Sequence, residues 1–246
     1  MGFPSRTYPS RRPKETVFRI TIGSNPLALR PWSTLAPGMS FGGRWDDPQG
    51  EYRMLYTSAT PKGALREALQ YFRPYPELML QLSAILCDLE ELPLAGIGVV
   101  PTSWLARRTL SQLHVESGKC VPVCTTGALD VIYHESGLQF TVGELLASSN
   151  LEWTQRISRM IWRKRIYAGI EAPSKIGVNL RNYAFFEEAH CSNVLRARLR
   201  VIETKKLSRD DERLVSIAKS LHLRFENLSL ESKKVSFLCL PCPVAA

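Results

Sequence analysis

The sequence predicts an α+β domain, on two observations. Short β-branched or aromatic runs recur along it: TVFRITI at 16–22, YRMLYTS at 52–58 and LRARLRVIET at 195–204. Between them, apolar residues repeat at helical spacing in PKGALREALQYF at 61–72 and in EWTQRISRMIWRKRI at 152–166. With 246 residues, 44% of them hydrophobic, the chain can build one large domain or two small ones, with a real core.

Taken in order, residues 1–15 (MGFPSRTYPSRRPKE) are rich in Pro, Ser and Arg and read as a flexible basic arm. Thr16 to Ile22 is the first strand. Arg19 within it faces either solvent or a cleft, as an anion contact. Residues 23–43, punctuated by Pro and Gly, read as a long loop of the kind that often carries function. Gly42 and Gly43 then allow backbone conformations closed to other residues, or a close approach by a ligand. Arg44 follows with a planar fork suited to phosphate or carboxylate, and Trp45 is a large flat neighbour. After the strand at 52–58, Thr60-Pro61 reads as an N-cap and first helical residue. Ala64, Leu65, Ala68, Leu69 and Phe72 fall on one face of the helix, with Glu67 at its flank. An arginine, a tyrosine and a glutamate from three successive elements can therefore meet at one cleft.

Arg73-Pro-Tyr-Pro breaks the pattern. Residues 104–114 read as a short helix with Arg107 and Arg108 outward, and ALDVIYH at 128–134 as a strand. Thr141 caps a helix through Ser148, with Glu144 as its capping-box partner. The 152–166 helix has an apolar side (Trp153, Ile157, Met160, Ile161) and a basic side (Arg156, Arg159, Arg163, Lys164, Arg165). The basic side is either a surface for nucleic acid or an acidic partner or a plain solvated face. Strands are read at 167–172, 183–187 and 235–240, and a helix at 210–222.

A net charge of +9 favours anionic ligands. Cys120 and Cys124 could join Cys239 and Cys242 in a four-thiolate zinc site. Cys239, however, lies in an apolar tail and Pro241 interrupts its pair, so buried free thiols and no metal are the expectation. There is no apolar core of a secretory signal and no run of the ~18–20 apolar residues that span a bilayer. A cytoplasmic protein without membrane contact is expected.

On chemistry alone, Arg44, Tyr56, Glu67 and Ser174 suit an anionic nucleotide whose glycosidic bond is cleaved. Arginine grips a diphosphate, and tyrosine offers a ring to a flat heterocycle. Glutamate stabilises the oxocarbenium charge of a breaking glycosidic bond. Ser174 has no His-Asp partner in the sequence pattern, so an acyl-transfer triad is a poor reading.

The words GGRW at 42–45, LYTS at 55–58, GALREAL at 63–69, TQ at 154–155, YAGIEAPS at 167–174 and NYAFFE at 182–187 occur in an order that resembles the RES domain family. The resemblance covers roughly residues 16–190. It implies a fold similar to ADP-ribosyltransferase toxins, with a central, split, mostly antiparallel sheet flanked by helices, and it places a strand in the second half of 77–89. It implies action on NAD⁺, used as substrate: cleavage of the nicotinamide–ribose bond with water or phosphate as acceptor, an NAD⁺ glycohydrolase or phosphorylase. It implies a toxin neutralised by an Xre-type antitoxin. Carried over, Arg44, Glu67 and Ser174 are the catalytic set, and Arg19, Arg44, Tyr56 and Ser174 hold NAD⁺. The Arg44-to-Tyr56 spacing is about two residues longer than usual, which keeps Tyr52 open as the cleft tyrosine. Asp46 stands where the family more often has Asn, and Lys175 where it commonly has Arg. The expected layout is the arm, a domain over 16–190, and an α/β extension over 191–246 packed on it. Alternatives are a transferase moving ADP-ribose to a protein or nucleic acid, and a non-enzymatic basic module binding nucleic acid through 152–166. A homo-oligomer is possible on any of these readings, and nucleic acid could also be reached through the antitoxin.

Overall fold

The structure, a computed structural model, describes residues 6–36, 39–73, 98–147, 151–188 and 195–226. Its strands are β1 (Thr16–Ile22), β2 (Tyr52–Ser58), β3 (Val99–Val100), β4 (Arg108–Ser117), β5 (Cys120–Pro122), β6 (Gly169–Ser174), β7 (Gly177–Glu188), β8 (Arg198–Lys206) and β9 (Arg224–Phe225). Its helices are α1 (Pro61–Leu69), α2 (Thr102–Ala106), α3 (Thr126–Ser136), α4 (Val142–Ala147), α5 (Glu152–Arg163) and α6 (Glu212–Ser220). Seven strands form one sheet in the order β5-β6-β7-β2-β1-β4-β8, antiparallel except for β5 with β6. β3 and β9 make a separate parallel pair.

The sheet is split, as expected. β2 pairs with β7 from Tyr52 to Ser58, and β1 pairs with β4 from Thr16 to Ile22. β1 and β2 meet in register at one pair, Phe18 opposite Ser58. Beyond Ser58 the chain leaves the sheet. Thr60 caps α1 by accepting from the Gly63 amide at 3.0 Å, with Pro61 as first helical residue, as the sequence indicates.

Strand alternation gives the sheet two faces. One carries Ile170, Ala172, Asn182, Ala184, Tyr56, Ser58, Phe18, Ile20, Leu110 and Arg108, which are linked pair by pair through the register. Two cores build on this face. Tyr52, Met54, Ala184, Phe186 and Ile170 pack under Ile132, Leu145, Ile157 and Trp162 of α3, α4 and α5. Leu110, with Phe18 and Ile20 beside it, packs under Leu65 and Leu69 of α1 and Leu214 and Ile217 of α6. Leu65 and Leu69 are fully buried, each stabilising by roughly 1.5–3 kcal/mol. The opposite face carries Val17, Leu55, Leu113 and Phe185, covered by Leu27 and Leu29 of the 23–43 loop. There the buried Arg53 forks onto Glu187 and lies under the rings of Trp32 and Phe41, at 4.7 and 5.6 Å.

The structure corrects three expectations. Residues 128–134, expected as a strand, lie in α3: Gly137 closes that helix in the left-handed conformation, and Val131 and Ile132 are buried against the α5 side of the core. Residues 104–114, expected as one helix, are helical only through Ala106, after which β4 begins and Arg108 joins the sheet. Residues 6–15, expected as part of a flexible arm, are bound to the domain. Tyr8 is buried, donates to Glu135 at 3.0 Å and accepts at its carbonyl from the Tyr167 hydroxyl. The Arg11 backbone bridges Cys120 while its side chain forks onto buried Glu171. The expected strand at 235–240 and the second half of 77–89 lie outside the described residues. From the segment expected as a C-terminal extension, β8 joins the main sheet and α6 packs on α1.

Tyr8→Ala is expected to lower unfolding free energy by about 2–4 kcal/mol in denaturant titration. A change within about 0.5 kcal/mol, the range of ordinary surface substitutions, would show that the segment is only loosely attached.

Candidate active site

Between the two cores on the first face lies a cleft of about 740 Å³, within the roughly 300–1,000 Å³ of small-molecule sites. Its floor crosses the seam of the sheet: Ala172 of β6, Asn182 and Ala184 of β7, Tyr56 and Ser58 of β2, Phe18 and Ile20 of β1. Arg44 and Trp45 stand on one side, and Glu67 and Tyr71 of the α1 end on the other.

The Gly42–Trp45 turn is built from below. Gly42 takes a φ of +85°, a conformation that suits glycine. Gly43 serves a different need. A Cβ there would sit 2.4 Å from both the Asp46 carboxylate and the Tyr56 hydroxyl, so the absent side chain makes room for this polar web rather than for a ligand. Asp46 Oδ2 accepts from the Gly43 amide at 2.7 Å, and Oδ1 from the Met54 amide at 2.9 Å. The Tyr56 hydroxyl accepts from the Trp45 amide at 3.0 Å and hydrogen-bonds Asp46. Burial pushes the Asp46 carboxyl above its usual range, against the hydrogen bonds that favour its charged form. Tyr56 thus fixes the turn with its hydroxyl and presents its ring to the cleft. Tyr52 is buried in the core, donates to Ser158 at 2.8 Å and stacks on Trp162. Of the two, Tyr56 lines the cleft and Tyr52 does not.

Arg44 reaches across the cleft wall to α4, its two Nη atoms donating to the carbonyls of Leu145 and Leu146 at 2.9 and 3.0 Å. These are carbonyls of the last turn of a helix, where a cation is stabilising. Burial lowers the Arg44 pKa, and the Glu67 charge opposes this.

Glu67 and Ser174 come together from elements more than a hundred residues apart. Glu67 Oε1 accepts from Ser174 Oγ at 2.5 Å and from Asn182 Nδ2 at 2.6 Å, and Oε2 accepts from Gln70 Nε2 at 2.9 Å. Three donors therefore fix the carboxylate. Ser174 Oγ also accepts from the Ile176 amide, which orients its proton toward Glu67. Gly63 leaves room for this approach: a Cβ there would lie 2.1 Å from Ser58 Oγ, which would have to turn away. Sequence reasoning missed Asn182 and Gln70 as partners. Gln70 stands three residues after Glu67 on the helix, a legible spacing. Asn182 shares a face with Ser58 only through the β2–β7 register.

Arg19 borders the same cleft, but its guanidinium is engaged elsewhere. It alternates with Phe18 and Ile20, and its guanidinium donates to the carbonyls of Pro26 and Ala28 at 3.0 and 3.1 Å in the loop covering the other face. The basic side of 152–166 is paired in part. Arg159 binds Asp47 and Glu51, Lys164 binds Glu135, and Arg165 binds Glu188. Arg156 donates to the Ser136 carbonyl at 3.0 Å, and Arg156 and Arg163 stay exposed. Cys120 and Cys124 are free thiols, and burial pushes Cys124 up to about 11; Cys239 and Cys242 lie outside the described residues. No described helix is long and apolar enough to cross a membrane.

Gly43→Ala is expected to cost about 1–3 kcal/mol of stability, since the new methyl must displace Asp46 or Tyr56. An unchanged denaturation midpoint would contradict the close packing described for this turn.

No curated protein matches the chain. Among solved structures, the crystal structure of the M. tuberculosis MbcT–MbcA toxin–antitoxin complex aligns with a TM-score of 0.47 at 15% identity, over 85% of this chain and 88% of that chain. The family model of the RES domain matches residues 16–208, from the first residue of β1 to just beyond β8, and the chain belongs to the RES domain family.

Proposed function

We propose that this protein cleaves the nicotinamide–ribose N-glycosidic bond of NAD⁺, with water or phosphate as acceptor. The observation that carries the reading is the Glu67 carboxylate, fixed by Ser174, Asn182 and Gln70 at the edge of an open cleft that Arg44 and Tyr56 also line. The bond between the ribose C1′ and the nicotinamide nitrogen breaks, and its electron pair leaves with nicotinamide. Positive charge develops on the ribose ring, and a preorganised carboxylate stabilises it where water is partly excluded. The acceptor oxygen then bonds to C1′ and loses its proton to solvent. Glu67 supplies the negative charge. Ser174, buried behind the cleft, and Asn182, which lines it, hold the carboxylate in place. Arg44 adds a positive charge for the diphosphate, and the Tyr56 ring gives a flat surface for the base.

Membership of the RES domain family supports a further part of this reading. The protein acts as the toxin of a toxin–antitoxin pair, held inactive by an Xre-type partner, and works in the cytoplasm where NAD⁺ is abundant.

The test is nicotinamide release from NAD⁺ by purified protein, with and without phosphate, beside Glu67→Gln. Wild-type release is expected, with a loss of about 100-fold or more in the variant. Full activity in Glu67→Gln would sink the assignment. Label from the ADP-ribose half appearing on a protein or nucleic acid would replace hydrolysis by transfer.

A further inference from the structure

The proposed cleavage uses the side of the cleft over β6, β7 and β2. The other side, over β1 and β4, is lined by Phe18, Ile20, Trp104 and Arg108. Trp104 meets Phe72 edge-on at 5.4 Å, which fixes the indole plane. The Arg108 guanidinium lies 4.4 Å from the centre of the Trp104 ring. Both side chains are half-buried. Charged groups removed from water are normally paired: Arg53 and Arg159 have carboxylate partners, and Arg19 and Arg44 have backbone carbonyls. The Arg108 guanidinium has neither among the described residues and sits against the Trp104 ring. Burial, with Arg107 beside it, lowers its pKa.

The register supplies the distance. Glu67 is held over β7 by Asn182, while Arg108 stands on β4. These strands are three inter-strand spacings apart in the order β7-β2-β1-β4, roughly 14 Å across the sheet, and Arg108 lies a further four residues along β4 from Gln112, the residue in the row of Asn182, Ser58 and Phe18, so the two positions are roughly 19 Å apart. A mononucleotide engaged at Glu67 stops short of that point. A dinucleotide reaches it, because its diphosphate carries a second nucleotide onward.

We propose that Trp104 and Arg108 form a second subsite that holds the adenine nucleotide half of the dinucleotide, with the base stacked on the indole and Arg108 on the phosphate. A planar guanidinium already ordered over an aromatic ring suits both contacts. The assignment rests on the reading of Glu67 as the cleavage side, but its test does not need cleavage.

The experiment measures ADP binding to the full chain by calorimetry at one fixed salt concentration. ADP contains the adenine nucleotide and no bond to break. Arg108→Ala is expected to weaken binding at least tenfold. Arg107→Ala, which removes the same charge one residue away and outside the cleft, is expected to leave it within twofold. Arg108→Gln, which keeps more of the side chain, serves if alanine unfolds the protein. Equal losses at 107 and 108, no loss at 108, or no ADP binding by the wild type would overturn the subsite. With NAD⁺ as substrate, the Arg108 variant is expected to raise KM at least tenfold with kcat changed far less. The two readings separate cleanly. ADP binding that depends on Arg108 in a protein that releases no nicotinamide would overturn the proposed function and keep the subsite. NAD⁺ cleavage with an unchanged KM in Arg108→Ala would do the reverse.

Discussion

The cleft exists because β1 and β2 meet at one residue pair, Phe18 with Ser58. Had they paired along their length, the helices covering β7-β2 and those covering β1-β4 would have faced one continuous floor, free to pack into one core. Instead the strands part and the two cores stay distinct, one under α3, α4 and α5 and the other under α1 and α6. Ser58 is also where β2 ends and the chain turns into α1. The seam therefore both opens the cleft and places the helix bearing Glu67 at its edge. The Ala59 amide, donating to the Arg181 carbonyl at 2.8 Å, keeps that exit tied to β7, and so keeps Glu67 within reach of Asn182.

Around this gap the polar groups are arranged by one another rather than left to solvent. Asp46 and Tyr56 shape the glycine turn, the α4 carbonyls hold Arg44, and Ser174, Asn182 and Gln70 hold Glu67. Such ordering before any ligand arrives is what electrostatic stabilisation of a developing charge requires. On α5, Arg159 anchors the Asp47–Glu51 stretch behind the turn. The acids that pair with Arg159 lie 112 and 108 residues away, so this pairing is not legible from its neighbours in the sequence.

Local chemistry made much of this legible in the sequence. Thr60-Pro61, the Thr141–Glu144 capping box and the strands at 16–22 and 52–58 all follow from nearest neighbours, and all are present. The Glu67–Ser174 meeting was legible only through the ordered motifs of the family. What stayed hidden depends on register and long-range packing. The Val131 and Ile132 pair suggests a strand until Gly137 and the α5 core decide otherwise. Arg19 follows Phe18 by one position, so its guanidinium turns to the Pro26 and Ala28 carbonyls while the strand position borders the cleft, a consequence of alternation that a single strand read alone does not orient. Arg108, read as an outward helix residue, enters the cleft because α2 stops at Ala106 and β4 takes over. Arg44 and its α4 carbonyls, 101 and 102 residues distant, leave no local trace.

The most direct test is a structure of the Glu67→Gln protein with intact NAD⁺ bound. The account predicts the nicotinamide–ribose linkage beside residue 67 and Ser174, the Tyr56 ring against a base, and the dinucleotide crossing the β2–β1 seam. NAD⁺ bound elsewhere, or lying in the cleft with its glycosidic bond far from residue 67, would contradict it.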